Sequence, residues 1–159
     1  MKPVVAGAAL WCVIIVAIGS IAWGQTPAPS PPRVAVAGLG SVVATVGFGK
    51  AGPGFRPEPR FPFPETRSSF SMGDAIYSYL VVEHPRLVAN VQITVGIRWL
   101  RGQTEVHRFS QSYTGVAGYA SQWAWNGVPT EKISPGAYTA EWSINGIVVG
   151  KGGFAIAAY

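Results

Sequence analysis

The sequence predicts an all-β protein, an antiparallel β-sandwich preceded by one N-terminal transmembrane helix. Three observations predict it. From residue 75 onward, runs rich in β-branched and aromatic residues recur about every 8 to 14 residues with Gly, Pro or Asn between them, the spacing of a sandwich or barrel. Asn145-Gly146 sits between two apolar runs, Trp142-Ser143-Ile144 and Ile147-Val148-Val149, where it supplies the positive φ angles of a two-residue type I′ hairpin turn. Residues 3–24, PVVAGAALWCVIIVAIGSIAWG, are apolar or small without one charge, and no later segment sustains a 3.6-residue apolar period.

The first 24 residues are read as an anchor. About 20 apolar residues at 1.5 Å rise cover a hydrocarbon core of roughly 30 Å. Ala22-Trp23-Gly24 before Gln25 also fits a small-x-small cleavage site, so release after Gly24 is the alternative. Lys2 and the amino terminus are the positive charges near the start, and such charges stay cytoplasmic. The expected location is therefore the bacterial inner membrane, single-pass, with the C-terminal body periplasmic; after cleavage it would be secreted or periplasmic. Trp23 falls where an outer interfacial belt residue belongs, and Trp11 lies deeper, at a position to face lipid or another helix. Gly7-Ala8-Ala9 and Gly19-Ser20 are small faces on which a second helix packs closely.

Beyond residue 24, about 135 of the 159 residues remain, one domain's worth. The single cysteine, Cys12, lies in the apolar segment, so the body has no internal disulfide and relies on packing. None of Asn90, Asn126 and Asn145 begins an Asn-x-Ser/Thr sequon, which suits a bacterial envelope better than a eukaryotic surface. The net charge is +5, with Arg33, Arg56, Arg60 and Arg67 gathered just past the anchor. Export argues against nucleic acid as a partner; the basic stretch serves solubility or rests on anionic headgroups.

Residues 25–66 are expected to be a proline-rich extended arm with short strands at 34–49. QTPAPSPP (25–32) favours polyproline II, a semi-rigid spacer. VAVAGLGSVVATVGFG (34–49) reads as one or two strands broken at Gly38-Leu39-Gly40. In GPGFRPEPRFPFPET (52–66) the prolines are too closely spaced for a helix or central strand. Its Phe55, Arg56, Arg60, Phe61 and Phe63 either cover an edge of the protein's own sandwich or lie along a partner.

Residues 67–159 are assigned to the sandwich domain. Strands are expected at 75–83, 88–100, 104–113, 122–126, 137–144, 147–150 and 153–157. The ending PGAYTAEWSINGIVVGKGGFAI (135–156) resembles the last strands of immunoglobulin-like or fibronectin-type modules of bacterial envelope proteins. The resemblance implies an immunoglobulin-like β-sandwich, in which Tyr138 takes the part of the corner tyrosine. It does not extend to the cysteine pair of antibody domains, which is absent, and it implies no function.

Chemistry-bearing constellations are sparse. Gly38-Leu39-Gly40 evokes a dinucleotide loop, but the third glycine position is Val43 and no crossover helix follows. The body offers His84, His107, Asp74 and six glutamates without ligand spacing; Glu105 and His107, two apart on one strand, are read as a polar face. No Gly-x-Ser-x-Gly elbow or exported cysteine nucleophile is present. The expectation is a non-enzyme without cofactor or metal.

The aromatics are more informative. Trp123 with Trp125, and Tyr77 with Tyr79, each share one side of a strand and form either a binding platform or core; Trp99 and Trp142 are assigned to the core. The reading that follows is a membrane-anchored accessory or structural subunit of a larger envelope or membrane complex. Its partner-binding residues are Trp11, Trp23, Phe55, Arg56, Arg60, Phe61, Phe63, Trp123 and Trp125, and its partners are other envelope subunits. The alternative is an exported module recognising a glycan or peptide through Trp123 and Trp125.

Overall fold

The computed structural model describes residues 31–51, 66–128 and 133–158, and every regular element among them is a β-strand. The apolar segment with Trp11 and Trp23, and the stretch carrying Phe55, Arg56, Arg60, Phe61 and Phe63, lie outside these residues. No helix among the described residues is long and apolar enough to cross a membrane.

The strands are β1 (Arg33–Val36), β2 (Gly40–Ala51), β3 (Ser69–Ser71), β4 (Ala75–Glu83), β5 (Val91–Arg101), β6 (Thr104–Gly115), β7 (Ser121–Gly127), β8 (Gly136–Ile144) and β9 (Ile147–Ala157). They form two sheets, ordered β1-β2-β4-β7 and β3-β9-β8-β5-β6. All pairings are antiparallel except β3 with β9. Residues 33–51, read from the sequence as strands within an arm, are two strands of the first sheet, with β2 paired to β4 from Val43↔Glu83 to Ala51↔Ala75.

Local chemistry accounts for the turns. Gly38 and Gly40 take positive φ, 84° and 77°, and break the first apolar run into β1 and β2. Asn145 and Gly146 have φ of 51° and 80°, the I′ geometry that joins β8 to β9. Asn145 also accepts from Thr94 N through Oδ1 and donates from Nδ2 to the Ala37 carbonyl, tying the hairpin to β5 and to the β1–β2 turn. The two short runs expected at 147–150 and 153–157 are one continuous β9. Its glycines do not end the strand; they make room beneath β2. A Cβ on Gly150 would come within 2.7 Å of Val46 Cγ2, and one on Gly152 within 2.8 Å of Phe48 Cε2.

Period-two alternation then builds the core. On β5, Ile93, Val95, Ile97 and Trp99 point inward, and on β8 Tyr138, Ala140, Trp142 and Ile144 do the same. From the other sheet come Val42, Phe48, Ile76, Leu80, Val82 and Ala124. Phe154 is the aromatic hub: it stacks on Tyr138 at 5.2 Å and meets Trp99 and Phe70 edge-on at 5.5 and 5.6 Å. Trp99 and Trp142 are core residues, as their sequence context predicts. Each such buried aromatic is worth roughly 3–5 kcal/mol against alanine, which is how the body holds together without a disulfide.

Residues 67–71 close one side by switching sheets. Arg67 N donates to the Phe48 carbonyl on β2, Ala155 N on β9 donates to the Ser68 carbonyl, and β3 then runs beside β9. Both open edges there are covered by the same short segment.

Candidate partner-binding face

On β4, seven consecutive residues, Ile76 to Val82, are buried, which means that both faces of this strand are covered. Ile76, Ser78, Leu80 and Val82 face the core. Tyr77, Tyr79 and Val81 face outward and form a second cluster of their own. The register of β7 brings the tryptophans to that same outer face, with Tyr79 opposite Trp125 and Val81 opposite Trp123. The two aromatic pairs recognised in sequence are thus neighbours, and Trp123 and Trp125 are not core residues.

The tyrosines lie down instead of standing off the sheet. Their partners on β2 are glycines, Gly47 opposite Tyr79 and Gly49 opposite Tyr77. A Cβ on Gly47 would fall 2.1 Å from Tyr79 Cζ, and one on Gly49 2.2 Å from the Tyr77 hydroxyl oxygen, so the rings occupy the space that side chains would fill. The two rings sit 6.5 Å apart at 39°. Burial raises the Tyr77 phenol above its ordinary 10.0, with the neighbouring Tyr79 adding to the effect, and keeps it neutral.

Tyr77 and Tyr79 are 2% and 5% exposed, Trp123 is half-buried, and Trp125 is 40% exposed. The face therefore grades from a packed tyrosine floor to a partly exposed indole at the edge strand β7. Trp125 is flanked in sequence by Asn126, whose Oδ1 accepts from Trp99 Nε1 at 3.2 Å, so the edge strand is tied to the core beside Trp125. The Thr66 hydroxyl, at the resumption of the described chain after the proline-rich stretch, lies 2.5 Å from the Tyr79 hydroxyl. Sequence reasoning paired the aromatics but missed Gly47, Gly49 and Thr66. The Gly-Phe-Gly spacing at 47–49, a bare outer face around an inward Phe48, was the legible signal.

The remaining polar candidates separate. The β5–β6 register passes from Trp99↔His107 to Leu100↔Glu105 and skips Val106. This bulge sets Glu105 and His107 on opposite faces, against the shared face that regular alternation predicts. Glu105 instead binds Arg108 through two hydrogen bonds of 3.0 and 2.6 Å, which holds its carboxyl below the ordinary 4.5. His84 is buried, with Nδ1 2.7 Å from the Pro85 carbonyl. Among the described residues no three His, Cys, Asp or Glu side chains gather as a metal site would require.

No protein family and no curated protein matches the chain. Among solved structures, it is similar to a β-glucosidase from Listeria innocua in complex with glucose, at 8% identity and TM-score 0.48, covering 77% of this chain and 17% of that one. It is similar to the alkylpurine DNA glycosylase AlkC of Pseudomonas fluorescens bound to DNA containing an abasic site analog, at 18% identity and TM-score 0.44, covering 57% and 28%. It is also similar to an immunoglobulin-like protein of Pseudomonas aeruginosa, at 8% identity and TM-score 0.43, covering 71% and 92%. The chain thus spans less than a third of the first two proteins.

Proposed function

We propose that this chain is an exported immunoglobulin-type sandwich without catalytic function, an accessory or structural subunit of a larger envelope or membrane assembly. In this reading residues 3–24 anchor it and the outer face of β4 and β7 docks it. The immunoglobulin reading is supported by Tyr138, whose hydroxyl donates to the Ser134 carbonyl at 2.8 Å and accepts from Ser134 N at 3.0 Å, the arrangement of a tyrosine corner. It is supported too by Trp99, fully buried on β5 where such sandwiches carry their central tryptophan.

The observation that carries the docking role is the partial exposure of Trp123 and Trp125, on β7, beside the packed Tyr77 and Tyr79 of the same outer face. Aromatic side chains of this kind dominate interaction hot spots, because they bury a large rigid area at little entropic cost. Thr66, which follows the proline-rich stretch in sequence, meets that face through its hydroxyl on Tyr79.

Extraction of the native protein in mild detergent, followed by intact-mass spectrometry, tests this reading. A mass that includes residues 1–24 with stoichiometric companions is expected, and W123A/W125A should release the companions while leaving the β-sheet circular dichroism unchanged. A mass beginning at Gln25 with no companion would overturn it. The second reading, a released module that stacks a glycan or peptide, rests on the 40% exposure of Trp125 and takes over in that event.

A further inference from the structure

The outer face of the five-stranded sheet, on the opposite side of the sandwich from the aromatic face, carries a polar hollow. Because Ile93, Val95, Ile97 and Trp99 point inward on β5, Thr94, Gly96 and Arg98 point outward. Register sets Ser110 and Ser143 beside Gly96, and Arg108 and Glu141 beside Arg98, with Lys151 next to Glu141. Gly96 adds no side chain to the middle of this arrangement, and the Ser143 hydroxyl leans over it to donate to the Gly96 carbonyl at 3.4 Å. A cavity of about 430 Å³ results, lined among others by Thr94, Gly96, Arg98, Arg108, Ser110 and Ser143.

The charges point to what fills it. Arg98 and Arg108 are directly opposed across β5 and β6, a like-charge pairing that the sheet's own Glu141 and Glu105 answer, and with Lys151 the three cations still outnumber the two carboxylates, which leaves the hollow net positive. Each guanidinium is aligned by a glutamate. Arg98 donates through Nε to Glu141 at 2.5 Å and pairs with it through Nη2, while Arg108 grips Glu105 through Nε and Nη2. Lys151 holds the other Glu141 oxygen at 2.6 Å, and Glu141 itself is only 6% exposed, so the positioning group is built into the sheet. These bonds use the same edge of both arginines, and among the described residues Nη1 of each takes no hydrogen bond, which leaves its two hydrogens to a ligand.

Guanidinium forks match planar carboxylates and sulfates, and serine and threonine hydroxyls both donate and accept, as sugar hydroxyls do. The volume lies within the range of small-ligand sites, about 300–1,000 Å³. We infer that this hollow binds an acidic saccharide, its carboxylate or sulfate on Arg98 and Arg108 and its ring hydroxyls on Thr94, Ser110 and Ser143.

Titration of the full-length protein in mild detergent with digalacturonate, followed by calorimetry, tests the assignment; neutral galactobiose and inorganic sulfate serve as comparison probes. Digalacturonate is expected to bind, with each comparison probe at least about tenfold weaker, the scale of one charge-assisted hydrogen bond. R108Q, at an exposed side chain, should weaken digalacturonate about tenfold without altering thermal unfolding. G96V should abolish binding by filling the hollow, since a Cβ there already reaches Ser143 Oγ at 2.9 Å. W125A, on the far face, should bind as wild type. Absence of digalacturonate binding, equal binding of galactobiose or sulfate, or unchanged affinity in R108Q would each overturn the proposal. So would loss of binding in W125A. If G96V fails to fold, R108Q decides.

Discussion

Trp142 Nε1 donates to Ser78 Oγ across 2.9 Å between the two sheets, both residues being essentially sealed from water. Ser78 in turn donates to the Gly47 carbonyl at 3.2 Å, so one hydroxyl joins β8, β4 and β2. Among the described residues the indole N–H has no other partner, and an unmade buried hydrogen bond costs more than a made one contributes. S78A is therefore expected to lower the unfolding free energy by about 1–3 kcal/mol, although it removes a single oxygen. Urea denaturation measures this; a change below about 0.5 kcal/mol, the scatter of ordinary surface substitutions, would show the bond to be dispensable.

Tyr138 presents the opposite case, a ring that packs and a hydroxyl that staples. Its ring stacks on Phe154 at an interplanar angle of 12°, and its hydroxyl closes the loop before β8 through Ser134. Y138F keeps the stack and loses both hydrogen bonds. The expected cost is again about 1–3 kcal/mol, with the near-ultraviolet aromatic spectrum retained. A spectrum that changes with the stability would mean that the hydroxyl, and not the stack, positions the ring.

Much of this architecture was legible because the strands alternate cleanly. The β4 span of 75–83 and the Asn145-Gly146 turn follow from β-branched runs and turn chemistry alone. What sequence could not reveal is set by partners distant in the chain. The three-residue β3 has no pattern of its own and exists because β9 offers an edge. The start of β5 falls at Val91, not 88, since Val88 is 99% exposed in a loop that hydrophobicity alone assigns to the strand. Trp123 and Trp125 were ambiguous between core and surface for a related reason: alternation says that they share a face, but only the pairing of β7 with β4 says which one.

The Glu141 cluster predicts an acid limb. Lys151 chiefly, and Arg98 next, hold the Glu141 carboxyl below its ordinary 4.5, against burial that raises it. A carboxyl whose folded value is depressed contributes stability above its unfolded value and loses it as pH falls through the folded one. Asp74, held below 3.8 by Lys50 and by the Ser71 amide, acts in the same direction. Stability measured by denaturant should therefore decline as pH falls below about 4.5. E141Q should be less stable than wild type near neutrality and should show a shallower decline. An E141Q profile parallel to the wild-type one would assign the acid limb to other groups.

Gly47 and Gly49 are where a substitution with no polar consequence should matter most. Both are in strand conformation, so alanine there is not strained by its backbone and ordinarily favours a strand over glycine. The space is the obstacle, since each Cβ would fall within 2.3 Å of atoms at the end of a tyrosine ring. Tyr77 and Tyr79 are buried, so the rings cannot swing aside without uncovering apolar surface. Overpacking of this kind costs typically 1–3 kcal/mol, more than the strand preference returns. G49A is expected to destabilise by about that amount, and G49A/Y77A to recover part of the loss, because the second substitution removes the clash at the expense of a buried ring. Urea denaturation of both variants with Y77A alone completes the double-mutant cycle. Strictly additive effects would mean that the tyrosine ring does not rest on the glycine, and that the outer aromatic face is held by something other than this fit.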